Sequence, residues 1–91
     1  MKQPEPVLKL EDLPNIGSTL SELLHETGIN TPEQLYEKGA IQAFLRIRAI
    51  DPEACFSKLC ALEGAIEGIR WHILSKEKQA ELKHFFALLN K

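Results

Sequence analysis

The sequence holds little of what catalysis or membrane insertion needs. Its 91 residues include two cysteines, three histidines, one tryptophan and one tyrosine. No apolar run approaches the roughly 20 residues that span a bilayer, so a transmembrane reading fails. The opening MKQPEPVLKLEDLP is broken by prolines and acids and lacks the apolar core of a secretory signal, so the expected compartment is the cytoplasm. No G-x-S-x-G, H-E-x-x-H, phosphate-loop or C-x-x-C pattern occurs. His25, His72 and His84 are widely separated. No catalytic residue, metal or cofactor is expected. Cys55 and Cys60 stand five apart in an expected helix, about 140° around it from each other, too far to bridge. Both are expected as small core hydrophobes.

What is present suits one globular domain. The chain is 44% hydrophobic and 26% charged, an ordinary balance for a folded protein of this length. The net charge of −2 conceals an asymmetry, with residues 1–45 at −4 and residues 46–91 at +2. Arg46, Arg48, Lys58, Arg70, Lys76 and Lys78 would make a modest basic face only if the fold brings them together. Phosphate neutralisation along a nucleic acid needs several clustered cations.

Punctuation residues mark short helices. Pro4 and Pro6 make residues 1–8 an expected flexible tail ahead of one helical domain over residues 9–91. A short first helix is expected around residues 9–13, then a turn at Asn15-Ile16-Gly17. Ser18 is the expected N-cap of the next helix, with Leu20, Leu23, Leu24 and Thr27 on one face and Ser21 directed elsewhere. Gly28 ends it. Thr31-Pro32-Glu33-Gln34 combines an N-cap, a proline at the first helical position and a capping-box glutamine. Leu35 and Tyr36 are the inward residues of that helix, and Gly39 closes it. A fourth helix is expected over residues 40–49, with Ile41, Phe44, Leu45 and Ile47 buried. Asp51-Pro52 repeats the cap-then-proline start for a long fifth helix reaching about Glu67. Ser75 starts the last helix, with Leu82, Phe85, Phe86 and Leu89 as its stripe. No stretch favours a strand, so the expected fold is all-α, a compact bundle of five to six short helices.

Two features stand out as contact candidates. Residues 10–29, LEDLPNIGSTLSELLHETGI, resemble the helix-hairpin-helix motif, a short helix, an L-P-x-I-G turn and a second helix ending at Gly-Ile. In DNA-binding members of that family the turn amides face a phosphate at the second helix N-terminus. The corresponding residues here are Ile16, Gly17 and Ser18. Asn15 replaces the first turn glycine, and Ser18, Thr19, Ser21 and Glu22 follow where a basic residue often stands. The hairpin is therefore expected to act first as a core anchor through Ile16.

The second feature is ALEGAIEGIRWH at residues 61–72. Ala61, Gly64, Ala65 and Gly68 recur at helical spacing and draw a strip of minimal side chains. Each helical glycine costs roughly 1 kcal/mol relative to alanine, which a close backbone neighbour would offset. That neighbour is expected from within the domain, with homodimer contact as the alternative. Arg70, Trp71 and His72 follow, and Trp and Arg are enriched where interfaces concentrate their energy. Gly64, Gly68, Arg70, Trp71 and His72 are thus the candidate partner-contact residues.

The chain also resembles the C-terminal domain of the TfoX (Sxy) family of bacterial competence regulators. The resemblance rests on LPNIG at 13–17, GINTPEQL at 28–35, GAIQAF at 39–44, LCALEGAIEGIRWH at 59–72 and LSKEKQAEL at 74–82. It implies a helical, SAM-like fold with a helix-hairpin-helix element, and it carries over no catalytic residue. The eight preceding residues cannot supply the N-terminal domain of TfoX proteins, so a stand-alone version is expected. The functional expectation is a non-catalytic regulatory or adaptor module acting by protein contact. The alternative is an accessory DNA-binding domain that uses the hairpin amides.

Overall fold

Three helix ends fall at a glycine of positive φ, Gly28, Gly39 and Gly68. In the computed structural model, which describes residues 9–90, α1 spans Ser18–Glu26, α2 Pro32–Lys38, α3 Ala40–Ile50, α4 Phe56–Glu67 and α5 Lys76–Leu89. Short 3₁₀ turns form at Leu10–Asp12 and Trp71–Ile73, and there is no strand among the described residues. The tail expected over residues 1–8 lies outside the described residues. Gly28, at φ +92°, donates to the His25 carbonyl at 3.0 Å, and Ile29 reaches back to Leu24 at 2.9 Å. Gly68, at φ +77°, repeats this closure, with Ile69 donating to the Gly64 carbonyl at 2.9 Å. In both places the glycine satisfies carbonyls that the helix end would leave unpaired. The following isoleucine is folded onto the last turn.

Two starts match their expected chemistry in outline. Thr31 Oγ1 accepts from the Gln34 amide at 3.1 Å, and Ser75 Oγ accepts from the Lys78 amide at 3.0 Å. The Gln34 side chain does not complete the box on Thr31, because its oxygen takes the Asn30 amide at 2.7 Å. Other starts differ from expectation. Gly17, not Ser18, is the N-cap of α1 and makes no side-chain cap bond. Asp51-Pro52 does not open α4. The Asp51 amide closes α3 on Ile47 at 2.7 Å, while its carbonyl and carboxylate take the amides of Ala54 and Glu53. The chain must reverse direction after α3, so this Asp-Pro pair serves a turn and α4 begins four residues after the proline, at Phe56.

The core is aliphatic at its centre and aromatic at one flank. Leu10, Leu24, Ile29, Leu35, Ile47, Leu59, Leu62 and Leu82 are fully buried, and each such side chain contributes about 1.5–3 kcal/mol of transfer free energy. Phe86 of α5 meets Phe44 at 6.0 Å and Phe56 at 5.5 Å between ring centroids. Arg48 lies over Phe44 and Phe86 and donates to the Ala54 carbonyl at 3.3 Å and to Asn90 Oδ1 at 3.0 Å. One guanidinium therefore joins α3, the reversal and the end of α5. Five burial expectations are corrected. Ile41 and Leu45 are only half-buried, Ser21 is buried beside Leu20 and Leu24, Cys55 is exposed because it precedes α4, and Tyr36 is exposed. Helix α2 has only two turns, and its inward line is Pro32 and Leu35; Tyr36 lies about 100° round from Leu35 and about 40° beyond Pro32, at the edge of that line.

Candidate binding groove at the helical hairpin

The turn before α1 is held to a segment more than fifty residues away. Asn15 adopts φ +71°, a conformation that asparagine tolerates better than most side chains. Its Nδ2 donates to the Ile69 carbonyl at 2.9 Å and more weakly to the Ala61 carbonyl at 3.5 Å. Its Oδ1 accepts from the Trp71 amide at 3.1 Å. Asn15 thus combines a positive φ with a clamp on the distant segment. The sequence marks Asn15 as a turn residue tolerant of positive φ and as a departure from the motif's glycine, but no local signal points to its clamp partners.

The small-residue strip is what lets the clamp close. A Cβ on Gly64 would stand 2.5 Å from Asn15 Nδ2, 2.8 Å from the Ile69 carbonyl oxygen and 3.2 Å from Trp71 Cα. Gly64 is buried beneath the chain's own residues, so the close neighbour is internal. Gly68 is not inside the helix but at its end, where its φ turns the chain back over Gly64. Arg70, Trp71 and His72 accordingly sit beyond α4 rather than on its last turn.

This crossing creates an open groove of about 550 Å³. The start of α1 contributes Gly17, Ser18 and Thr19, the start of α4 contributes Ser57 and Lys58, and the crossing segment contributes Arg70 and Trp71. No lining residue is acidic. Among the described residues the ion pairs are those of Lys78 with Glu81 at 3.2 Å and with Glu63 at 4.0 Å, so Lys58 and Arg70 enter none. Trp71 keeps 46% of its surface exposed and meets the His72 ring edge-on at 5.9 Å. His72 is exposed beside the groove without lining it. Of the hairpin amides, that of Ile16 is directed at the Leu13 carbonyl at 3.4 Å, and Ile16 itself is buried. Gly17 and Ser18 line the groove.

The other cations lie elsewhere. Arg46 donates to the Thr27 carbonyl at 3.1 Å, Arg48 is committed to the aromatic flank, and Lys78 faces carboxylates. Of the six cations, Lys58 and Arg70 are the two that line this groove. Three ionisable groups on or beside α4 are perturbed. Burial, reinforced by a hydrogen bond with Glu67, pushes the Glu63 carboxyl up to about 7 against the opposing pull of Lys78. A 3.0 Å contact with Ser57 Oγ lowers the Cys55 thiol, while burial raises that of Cys60. Among the described residues, no three His, Cys, Asp or Glu side chains gather closely enough to hold a metal ion.

Five short helices, a clamped hairpin turn and a polar groove define a small all-helical domain. The chain belongs to the TfoX C-terminal domain family, whose model matches residues 8–86. It is similar to the crystal structure of an uncharacterized protein from Listeria monocytogenes in a triclinic form. The TM-score is 0.90 at 48% identity, over 91% of this chain and 94% of that one. A tetragonal crystal form of a Listeria monocytogenes protein of unknown function gives a TM-score of 0.87 at 50% identity, over 88% of this chain and 98% of that one. No curated protein matches the chain.

Proposed function

We propose that the domain is a non-catalytic regulatory or adaptor module that engages a partner protein through the groove beside the hairpin. The carrying observation is the convergence there of a half-exposed Trp71 with Arg70 and Lys58, neither of them in an ion pair among the described residues. An exposed tryptophan edged by cations provides both the apolar area and the charge that interface centres use. Family membership supports the regulatory part of this reading. Affinity capture with the unaltered domain and with Trp71→Ala tests it. A partner retained at fixed stoichiometry by the former and lost by the latter, with unchanged helical circular dichroism, is the expected result. A partner held equally by both contradicts it.

One observation favours a second reading, duplex DNA. Gly17 and Ser18 at the start of α1 share the groove with both cations, and amides at a helix start favour an anion. Two cations are few for a duplex, since phosphate-led binding releases counterions from several contacts and falls steeply with salt. Binding to a mixed-sequence duplex that weakens in proportion across a salt series would establish this reading. Undetectable binding at low salt ends it.

A further inference from the structure

We infer that the occupant of the groove is an extended acidic peptide segment of the partner, its carboxylates directed at Lys58 and Arg70 and an apolar side chain laid on Trp71. This deepens the protein-contact reading and rests on it. Three observations specify the chemistry. The first is sign: both charged residues in the lining are cationic, in a chain whose net charge is −2. Acids populate the rest of the molecule yet stop at this groove, which is charge complementarity toward an anion. The second is the donor inventory. Ser18 and Thr19 bring two hydroxyl residues to the walls, that of Ser57 being taken by Cys55 Sγ at 3.0 Å, and the starts of α1 and α4 both border the groove, each the positive end of its helix dipole. The third is the apolar end. Trp71 is held by the Asn15 bond to its own amide, so its ring is presented by a fixed backbone and little conformational freedom is lost on contact. A groove of about 550 Å³ accepts a few side chains.

Because Trp71 is the only tryptophan in the chain, its emission reports this groove alone. The probes are three blocked hexapeptides alternating leucine with glutamate, glutamine or lysine, and a mixed-sequence duplex DNA. The glutamate peptide is expected to shift Trp71 emission saturably. Arg70→Glu should weaken that binding at least about tenfold, because it places like charges together. Lys58→Gln should weaken it a few-fold, as loss of a partly exposed pair does. Lys38→Glu, which lies outside the groove's lining, leaves binding unchanged. An equal response to the glutamine peptide overturns the acidic specificity while the protein-contact reading survives. A response to DNA with none to any peptide overturns both. Silence toward the glutamate peptide at millimolar concentration overturns the inference.

Discussion

Two grooves of nearly equal size lie on this domain, about 550 Å³ beside the hairpin and about 560 Å³ between α1, α2 and α3. They differ in how they are built. The second is made by neighbours in sequence, Gly28 to Lys38 with Arg46 added. Its lining sets one acid, Glu37, beside Lys38 and Arg46, and Arg46 is bonded to the Thr27 carbonyl. The hairpin groove joins three distant stretches, around residues 15–20, 57–61 and 70–71, and has no acid in its lining beside its two cations. Volume does not separate the two; assembly and charge do. A groove whose shape depends on a single clamp is also one that a single substitution can dismantle.

That dependence gives the largest expected effect. Asn15→Ala removes two good hydrogen bonds and one weak one, and places alanine at φ +71°. Leaving partners unpaired costs about 1–3 kcal/mol and the left-handed backbone a further 1–2 kcal/mol. Asn15→Gly restores the backbone but not the bonds, so chemical denaturation should rank it between Asn15→Ala and the unaltered protein. Equal stability of all three would show that the clamp is idle. Next comes Gly64→Ala, whose Cβ meets two backbone atoms that cannot rotate away. Overpacking of this kind costs about 1–3 kcal/mol, and Trp71 emission should change in the folded state.

A third effect concerns the α4–α5 contact and carries a pH signature. The Glu63 side chain retains 15% of its surface, and its folded pKa of about 7 exceeds its ordinary value near 4.5. The fold therefore binds this proton more tightly than the unfolded chain does. Its contribution is greatest below pH 4.5 and is lost as pH rises through 7, by an amount on the order of 1–3 kcal/mol. Glu63→Gln should flatten this slope and raise stability at pH 8; a slope unchanged by the substitution contradicts the assignment. The smallest effect belongs to the second groove. Arg46→Ala gives up one exposed hydrogen bond to Thr27 and should cost no more than about 1 kcal/mol with Trp71 emission unaltered.

The helical architecture was legible in the sequence because local signals and burial agree. Thr31-Pro32, Ser75, Gly28 and Gly39 each mark a helix end by backbone chemistry alone, and the aliphatic stripes follow at helical spacing. Legibility fails where one local pattern admits two uses. Asp51-Pro52 reads as a helix start, but the reversal after α3 takes both residues for a turn. Gly68 reads as part of a helical strip, yet its φ ends the helix. The groove was half legible: Arg70 and Trp71 were visible as contact residues, and Gly17 and Ser18 as exposed amides. Their adjacency was not, because it depends on Asn15 reaching Ile69 and Trp71 across 54 and 56 positions. No local pattern encodes that distance. Lys58, which completes the charge, had no signal beyond being one of several cations.

The comparison of the two grooves is tested most directly by amide chemical-shift mapping with the glutamate–leucine hexapeptide. The account predicts that shifts concentrate at Gly17 to Thr19, Ser57 to Lys58 and Arg70 to Trp71, with Gly28, Gln34 and Lys38 unmoved. Shifts centred on Gly28 to Lys38 and Arg46, with Trp71 silent, would contradict it.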